Sequence, residues 1–455
     1  MTFIKKLIIF ILTLESRLIL AKYKPFIIAV TGSVGKTTTK DAIFCVLKDF
    51  TPSDASQVGL IRKSEKSLNS EIGLPLTVIG VPNSWHNPYG WTKNMLSGLR
   101  LILDHADYPK CLVLEIGADH PGDIKKVVKW LHPNIAVITK VSDTPVHVEF
   151  FKSPAQVFEE KASLADGLKD GGNLILFADD AKVVSIADRV KGKDIKVMTF
   201  GLTETATVRG SQEMISYESS QFSSPNSQFP TGFSFKLDMD GNSVPISIKN
   251  VIGKTYIYPL LAATAVAKAR GMSVNSIVNA LNAYEAPKGR MNIIPGLNGS
   301  TLIDDTYNSS PDAVRAALET LKSITTAGRK IAILGDMMEL GKYSADEHRA
   351  IGREAAAVLG GSNALSGILI TIGLRSRAMA EEAVKNGMSA SAVQSFESSD
   401  EAAVAVPSII QLGDIILIKG SQSPRLERVT KALMRESEKA GELLVRQERE
   451  WLEKK

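Results

Sequence analysis

A glycine-rich segment between an apolar run and a helical pattern restricts the fold of this chain more than any other feature of its sequence. Residues 26–30 (Phe-Ile-Ile-Ala-Val) are typical of a buried strand, and residues 41–47 have the apolar spacing of a helix. Residues 31–40 between them read Thr-Gly-Ser-Val-Gly-Lys-Thr-Thr-Thr-Lys. Glycines let backbone N–H groups turn toward an anion, and the helix N-terminus adds partial positive charge. The segment predicts a phosphate-binding loop of a shortened Walker type.

Two side chains of this loop are suited to nucleotide chemistry. Lys36 can reach a terminal phosphate, and the hydroxyl of Thr37 can bind Mg²⁺. The alternative is a tight strand-to-helix turn with an incidental lysine. The predicted nucleotide-binding residues are Gly32, Ser33, Val34, Gly35, Lys36, Thr37 and Thr38.

Length and charge limit the class of protein. A chain of 455 residues is long enough for two or three domains. Its net charge of +5 suits anionic ligands, but no nucleic-acid-binding motif accompanies it, so we expect no nucleic-acid partner. Cys45 and Cys111 each lie in an apolar run and predict free thiols rather than a disulfide.

The alternation of apolar runs with helical patterns predicts an α/β fold in two domains. The first, residues 25–284, is a central P-loop domain with a mononucleotide-binding parallel sheet. Within it, residues 203–249 break the alternation and predict an antiparallel extension with an exposed loop. The strands predicted for this domain are residues 26–30, 111–114, 135–139 and 173–177.

A second alternating block predicts a smaller C-terminal α/β, Rossmann-like domain over residues 285–434. Residues 435–455 are charged and have a helical pattern, which predicts a solvated helical tail. The strands predicted for this domain are residues 301–304, 330–334, 367–371 and 414–418.

Three candidate metal ligands come after predicted strands of the central domain. Glu115 follows one strand directly, and His147 and Glu149 come after the next. Ligands of parallel α/β sheets bind at the carboxyl ends of the strands, so these groups should gather near the phosphate loop. A carboxylate and a neutral imidazole there can hold Mg²⁺ against phosphates. Taken singly, His147 has the ordinary alternative of a hydrogen-bonded surface or core residue.

Together these motifs resemble those of the Mur ligase superfamily, the ATP-dependent amide ligases of peptidoglycan precursor synthesis, over nearly all of residues 25–430. Within the superfamily, the resemblance is greatest to the branch that joins D-alanyl-D-alanine to a UDP-muramyl tripeptide. The segments that carry the resemblance are residues 31–39, 69–77, 289–291, 304–311, 335–341 and 419–421.

For the central domain, the resemblance implies a carbamylated lysine at Lys161. It implies that this group, with Thr37, Glu115 and His147, binds Mg²⁺, and that two ions are held. From its sequence neighbours alone, Lys161 is an exposed helix lysine in a charged run.

For the C-terminal domain, the resemblance implies that Arg290 reaches the phosphates of ATP and that Asp305 binds ribose or orients the hinge. It also implies that Asn308 belongs to the nucleotide site. Ordinary salt bridges between the domains are the alternative for Arg290 and Asp305. Nucleotide contacts on both domains would mean that domain closure assembles the site.

The activity implied by the resemblance is ATP-driven amide-bond formation through an acyl phosphate, between a muramyl-peptide carboxylate and D-alanyl-D-alanine or a similar amine. Three alternatives stay open: a lipid-linked or other carboxylate acceptor, glutamate addition of the folylpolyglutamate type, and a non-catalytic nucleotide-binding scaffold. The expected catalytic residues are Lys36, Glu115, His147, Lys161 and Arg290.

The chain departs from the family pattern at two places that bear on its substrates. Only residues 1–24 precede Pro25, where the family has a whole UDP-binding domain, so we expect a UDP-sugar to be recognised differently. Pro259 stands where the family has an asparagine near adenine, so adenine must be contacted by other groups.

Residues 1–24 predict an apolar helix whose uninterrupted apolar run is well short of the roughly 20 residues of a membrane span. We expect residues 1–22 either to lie on the cytoplasmic face of a membrane, with lysines at the headgroups, or to pack on the protein's own core. The expected location is therefore the cytoplasm, at the inner membrane face in the first case. We expect a monomer.

Overall fold

The computed structural model describes residues 3–50, 60–65, 68–85, 87–142, 150–219, 228–360 and 367–453. Over these residues the chain forms two α/β units, each built on its own sheet, which confirms the predicted fold class. The predicted boundary between residues 284 and 285 falls in the connection between the units and stays a prediction.

The first sheet holds the glycine loop. Its strands within the described residues are β1 (Phe26–Thr31), β2 (Ile61–Lys63), β3 (Cys111–Glu115), β4 (Ile135–Ile138), β5 (Gly172–Phe177), β6 (Ile195–Gly201), β7 (Val208–Ser219), β8 (Gln228–Met239) and β9 (Asn242–Lys249). Their order is β2-β3-β1-β4-β5-β6-β7-β8-β9. The pairs up to β7 are parallel, and β7, β8 and β9 pair antiparallel. The antiparallel extension is thereby confirmed, while residues 220–227, where its loop was expected, lie outside the described residues.

The strand order explains where a ligand site can form. The four predicted strands correspond to β1, β3, β4 and β5, whose Val, Ile and Leu side chains are almost all buried, as in parallel sheets covered on both faces. β3 and β4 flank β1, so the strand order reverses at β1. The crevice beyond the carboxyl end of β1 is therefore the expected binding position, and the glycine loop begins there.

The helices of the first unit precede, connect or follow these strands along the chain. They are α1 (Phe3–Tyr23), α2 (Lys36–Leu47), α3 (Gly73–Ile79), α4 (Pro88–Leu103), α5 (Asp123–Leu131), α6 (Pro154–Ala162), α7 (Ala181–Val184), α8 (Ile257–Ala269) and α9 (Val274–Asn282). α2 begins at the glycine loop and packs against α8, which is buried along most of its length.

The second sheet is smaller and again mainly parallel. Its strands are β10 (Asn292–Pro295), β11 (Thr301–Asp305), β12 (Lys330–Gly335), β13 (Ile368–Ile372), β14 (Val393–Phe396) and β15 (Ile415–Lys419). Their order is β10-β11-β15-β12-β13-β14, and the β10–β11 pair is antiparallel. β11, β12, β13 and β15 are the four predicted strands. The helices are α10 (Pro311–Ser323), α11 (Ser344–Leu359), α12 (Arg377–Lys385), α13 (Ser399–Ala405), α14 (Glu427–Leu433), α15 (Ala440–Leu443) and α16 (Arg449–Leu452).

The N-terminal helix packs on the protein with one side only. α1 contacts α3 and α4, and it buries Leu12, Ser16 and Ile19 completely. Its opposite side is exposed. Within the described part of the chain, no helix combines the length and the apolar character required to cross a bilayer. The expectation that α1 packs on the core is therefore met for one side of the helix along its length.

The expectation of a solvated helical tail after residue 434 is met only in part, because most of residues 435–453 are exposed but a few are buried. The segment forms only short helical turns, and Leu444 and Arg446 are buried. Arg446 donates to the carbonyl oxygens of Thr306 and Tyr307 and to the Glu427 carboxylate. These hydrogen bonds fold the tail back onto the turn that follows β11.

Candidate functional site

The glycine loop connects β1 to α2 in a backbone conformation that requires its glycines. Gly35 has a φ of 83°, in the left-handed region, and Gly32 has a φ of 148°. A Cβ at Gly32 would lie 1.9 Å from Thr139 Oγ1. The Ser33 N–H donates to the carbonyl oxygen of Lys140 at 2.8 Å, which ties the loop to the end of β4. Gly35 at the N-cap has no side chain to accept hydrogen bonds. The N–H groups in the first turn of α2 can therefore donate hydrogen bonds to a bound anion.

Glu115, at the end of β3, is buried beside this loop. Its Oε1 accepts hydrogen bonds from Thr37 Oγ1 at 3.1 Å and from Asn69 Nδ2 at 3.3 Å. Its Oε2 is buried and accepts no hydrogen bond from the described residues, although Lys40 Nζ lies 3.7 Å away. A buried carboxylate oxygen of this kind, next to a threonine hydroxyl, fits Mg²⁺, which prefers oxygen ligands.

Two lysines, Lys36 and Lys161, approach the glycine loop. Lys161 Nζ donates to the carbonyl oxygen of Gly32 at 2.9 Å, and Lys36 Nζ lies 3.5 Å from the carbonyl oxygen of Ser33. Burial, and secondly the charge of Lys36, lowers the pKa of Lys161 well below its ordinary value. Burial also lowers the pKa of Lys36, against the opposing effect of Glu115. Both ammonium groups therefore lie where an anion would stabilise them.

The interpretation of Lys161 as an exposed helix lysine is wrong, since only 4% of its surface is exposed. Its neighbour Glu160 explains the burial. The Glu160 carboxylate accepts hydrogen bonds from the backbone N–H groups of Gly122, Ile124 and Lys125, which fastens α6 to the start of α5. A buried lysine with a lowered pKa favours its neutral, nucleophilic form.

Asp305, at the end of β11, forms a buried ion pair within the C-terminal unit. Lys419 Nζ, from β15, donates to Asp305 Oδ2 at 2.6 Å and to the carbonyl oxygen of Asn308 at 2.9 Å. The alternative of a salt bridge between domains is therefore wrong for Asp305. Because Lys419 already occupies one carboxylate oxygen, the contact favours an orienting role for Asp305 in the turn at residues 306–308.

Arg290 brings a positive charge from the C-terminal side toward the loop. Its guanidinium lies 4.3 Å from the centre of the Tyr307 ring, and its Nε is buried and donates no hydrogen bond within the described residues. Its charge is close enough to lower the pKa of Lys36. Tyr256 Oη donates to the carbonyl oxygen of Arg290 at 2.5 Å, which fixes its backbone.

The second half of the predicted metal site is not described. His147 and Glu149 lie outside the described residues, so their distance from Glu115 stays a prediction. Across the described ranges, no three side chains among His, Cys, Asp and Glu are arranged to hold a metal ion.

A cavity of about 790 Å³ adjoins the loop and extends to the C-terminal unit. Phe177 and Tyr258 line it with their ring centres 4.9 Å apart at 81°. Pro259 also lines it, so the residue expected to stand in place of a family asparagine borders this cavity. Its other lining residues include Val34, Gly35 and Thr39 of the loop region, Phe200, Tyr217 and Phe233 of the sheet, and Asp312 and Thr320 of α10.

The structure adds residues to the site that sequence reasoning did not select. Asn69 and Lys419 lie within segments that carried the family resemblance, and this was an available signal for both. Lys40 lies four residues after Lys36 on α2, a spacing that places both on neighbouring positions of one helix face. The position of Tyr258 in the cavity lining could not be predicted from its sequence neighbours, because it depends on packing against Phe177, which is distant in sequence.

Comparison with known proteins matches both units of this chain to domain models of one family. The Mur ligase middle-domain model matches residues 30–267, and the model described as Mur ligase, glutamate ligase domain matches residues 289–422. The UDP-N-acetylmuramoyl-tripeptide–D-alanyl-D-alanine ligase of Bacillus subtilis (strain 168) is 28% identical over 90% of this chain and 76% of its own length.

Two solved structures share the fold. The MurF ligase of Thermotoga maritima, solved in complex with ADP, superposes with a TM-score of 0.72 at 22% identity, covering 95% of this chain and 84% of that one. MurF of Acinetobacter baumannii superposes with a TM-score of 0.70 at 23% identity, covering 92% and 79%.

Proposed function

The chain belongs to the Mur ligase family, whose members are ATP-dependent amide ligases, and we propose that it joins D-alanyl-D-alanine to the free carboxylate of a muramyl tripeptide. The products are the amide, ADP and inorganic phosphate. The observation that carries this proposal is the buried Glu115 carboxylate beside Thr37, at the mouth of a glycine loop that Lys36 and Lys161 both approach.

The reaction needs charge neutralisation more than it needs covalent help from the protein. An acceptor carboxylate oxygen attacks the γ-phosphorus of ATP, and the bond to the β-phosphate oxygen breaks. Lys36 and Arg290 offset the negative charge that gathers on the transferred group. Amine nitrogen then attacks the carbonyl carbon of the acyl phosphate, the proton leaves the nitrogen, and phosphate departs.

Mg²⁺ would be held by Thr37 and Glu115, whose free Oε2 supports this assignment, together with His147 as proposed from the sequence. When bound, the ion would neutralise phosphate charge and orient the transferred group. Glu115 itself is held by Asn69, so the protein sets the carboxylate orientation before any ligand arrives.

Lys161 is proposed to act as a carbamate. Its buried Nζ, once it has lost one proton, is suited to attack the carbon of CO₂; the N–C bond forms as a C=O π bond opens, and loss of a second proton to solvent leaves an N-carboxylate in place of the original cation. That change would remove the repulsion between Lys161 and Lys36 and supply an anion for a second Mg²⁺. The contact of Lys161 Nζ with the carbonyl oxygen of Gly32 supports this proposal, because it puts the nitrogen beside the phosphate loop.

The nucleobase is assigned to the aromatic part of the cavity beside the loop. Phe177 and Tyr258 offer ring faces and edges there, which supplies apolar contact in place of the asparagine that Pro259 replaces. Asp305 is proposed to orient the turn that carries Asn308, and through it the C-terminal contacts to ATP.

A second candidate keeps this chemistry and changes the acceptor to a lipid-linked muramyl peptide. The exposed apolar side of α1 favours it, because that side suits an enzyme working at a membrane surface. We propose a cytoplasmic location for either acceptor, since ATP is supplied there, and a monomeric enzyme. A non-catalytic nucleotide-binding scaffold is disfavoured because Lys36, Glu115 and Lys161 are present together beside the glycine loop.

The decisive experiment is phosphate release with purified enzyme, ATP, Mg²⁺, muramyl tripeptide and D-alanyl-D-alanine, with each component omitted in turn. UDP-linked and lipid-linked tripeptides are compared in parallel, and the amide product is identified by mass spectrometry. Phosphate release that requires both the tripeptide and the amine supports ligation. Release that is indifferent to the amine, or absent with both acceptors, contradicts the proposal.

A further inference from the structure

The side of α1 that faces away from the protein is apolar along its whole length. Its exposed apolar residues are Ile4, Leu7, Phe10, Leu14 and Leu18, with 45–68% of each surface accessible. They recur every three or four residues, so they form one stripe along the helix. Because the buried residues of α1 lie on the other side, this stripe is not required for packing.

Helix α4 repeats the pattern. Tyr89, Leu96, Leu99 and Leu103 are exposed along it, with 45–78% of each surface accessible, and Trp85 is exposed just before it. Single exposed apolar residues are ordinary, but sets on two neighbouring helices mark an interaction surface. Tryptophan and tyrosine are also the side chains that prefer a membrane–water interface.

The two helices run side by side in the same direction. Glu15 packs so closely against Gly98 that a Cβ there would lie 2.2 Å from its Oε2. One turn or two further on, Lys22 Nζ donates to the carbonyl oxygens of Leu101 and Ile102, at 3.1 and 2.9 Å. These contacts place corresponding parts of the two helices side by side along their shared direction.

Charge on the two helices has a single sign at the surface. Glu15 is the acidic residue of α1, where it is buried, and the sequence of α4 contains none. The exposed basic residues are Lys5, Lys6, Arg17, Lys93 and Arg100. Arg100 pairs with Asp104, just after α4, at 3.5 Å. Apolar stripes flanked by basic side chains match an anionic lipid surface.

We propose that the exposed sides of α1 and α4 dock together on an anionic bilayer, with the helices lying in the headgroup region and the catalytic units in the cytoplasm. A second copy of the chain fits less well, because the exposed charges on both helices are basic, with Asp104 just beyond α4 as their acidic neighbour, and two such surfaces would repel each other. The proposal is independent of the ligase assignment, since it uses no residue of the glycine loop or the cavity.

Vesicle binding tests the apolar contribution. The full chain is sedimented with vesicles of phosphatidylcholine containing 30% phosphatidylglycerol, and with phosphatidylcholine alone. The double variant Phe10→Ser/Leu14→Ser should weaken binding to the anionic vesicles by tenfold or more, since burying such a side chain contributes about 1.5–3 kcal/mol. The control Val404→Ser/Leu412→Ser removes apolar residues from the C-terminal unit that are as exposed as the tested pair or more so, and it should bind like the wild type.

The contribution of α4 distinguishes this proposal from anchoring by α1 alone. Leu96→Ser/Leu103→Ser should weaken binding by a similar factor, and replacing Trp85 by Phe should reduce a vesicle-induced blue shift of tryptophan fluorescence. All variants are first checked for wild-type thermal unfolding, which exposed positions should preserve. Wild-type binding by the α4 variant would overturn joint docking.

Charge is tested separately. Lys5→Gln/Lys6→Gln should weaken binding to anionic vesicles roughly fivefold for each charge removed. The control Lys236→Gln/Lys249→Gln, on exposed positions of β8 and β9, should have little effect. Three results would overturn the proposal: no binding of the wild type, equal binding to neutral and anionic vesicles, or a dimer that the apolar variants convert to monomer.

Discussion

At the residue scale, the site is a group of buried charges that are only partly satisfied by the protein. Among the described residues, Glu115 Oε2 accepts no hydrogen bond and Arg290 Nε donates none, and burial lowers the pKa of both Lys36 and Lys161. Leaving such groups buried costs stability, and ligand phosphates with their metal would relieve that cost. The individual roles of these residues can be separated by substitution.

Lys36→Ala is expected to lower ATP turnover by about 10²–10³-fold, because it removes a cation that stabilises charge on the transferred phosphoryl group. The fold should be unchanged, since the hydrogen bond of Lys36 Nζ within the described part of the chain is a 3.5 Å contact with the Ser33 carbonyl oxygen. Phosphate release measures the effect. Lys48→Ala, at the exposed end of the same helix, is the matched control. Near-normal turnover by folded Lys36→Ala protein would refute the assignment.

Lys161→Ala is expected to be almost inactive and to recover part of its activity when short carboxylates such as acetate are added, because they can occupy the vacated anionic position. Lys152→Ala, an exposed lysine just before α6, should be neither inactive nor rescued. Carbon-13 NMR after incubation with labelled bicarbonate reports the carbamate directly. A wild-type spectrum with no carbamate signal that depends on Lys161 would show that the modification is absent.

At the element scale, one side of α1 packs on the protein and the other presents exposed apolar side chains that we propose contact a membrane. Leu12 and Ile19 are fully buried on one side, whereas Leu14 and Leu18 are exposed on the other. Removing the helix would therefore expose α3 and α4 as well as remove the surface. The two alternatives expected for residues 1–22, a helix on the membrane face and a helix packed on the core, therefore each need a test on one side of α1.

Leu12→Ala should lower the free energy of unfolding by about 2–5 kcal/mol, because it leaves a cavity in a packed core. Leu14→Ala, two residues further on the exposed side, should change it by less than about 0.5 kcal/mol. Urea unfolding followed by circular dichroism measures both. Equal, small effects would mean that α1 is not packed on the protein in solution.

Local sequence patterns predicted the strands that consist of a continuous apolar run of several residues. β1, β3, β4 and β5 are apolar runs bounded by polar residues, and they were found close to their observed limits. β2 was missed because its three residues, Ile-Arg-Lys, carry neither alternation nor an apolar run. The docking of the tail at Arg446 was not predicted, because it depends on contacts with a turn about 140 residues earlier in the chain.

At the scale of the whole molecule, the candidate site is assembled from both α/β units. Lys140 Nζ lies 3.3 Å from Asp312 Oδ2 across them, and Tyr217 Oη accepts from the backbone N–H of Thr325 at 2.9 Å. The partners of Asp305 and Glu115 come from segments far away in sequence, so the pairings could not be predicted from local patterns. Only the order of family-like segments indicated that they belong to one site.

Arg290→Ala tests whether the second unit takes part in chemistry or only in binding. The glycine loop and the aromatic cavity supply most of the proposed nucleotide contacts, so the affinity for ADP should change only a few-fold. Turnover should fall by about 10²-fold or more, because the arginine acts on charge that develops in the transition state. Calorimetric titration and steady-state phosphate release measure the two quantities, with Arg349→Ala, an exposed arginine of α11, as control. Parallel losses of affinity and turnover would instead mean that Arg290 contributes ground-state binding, and normal turnover would remove it from the site.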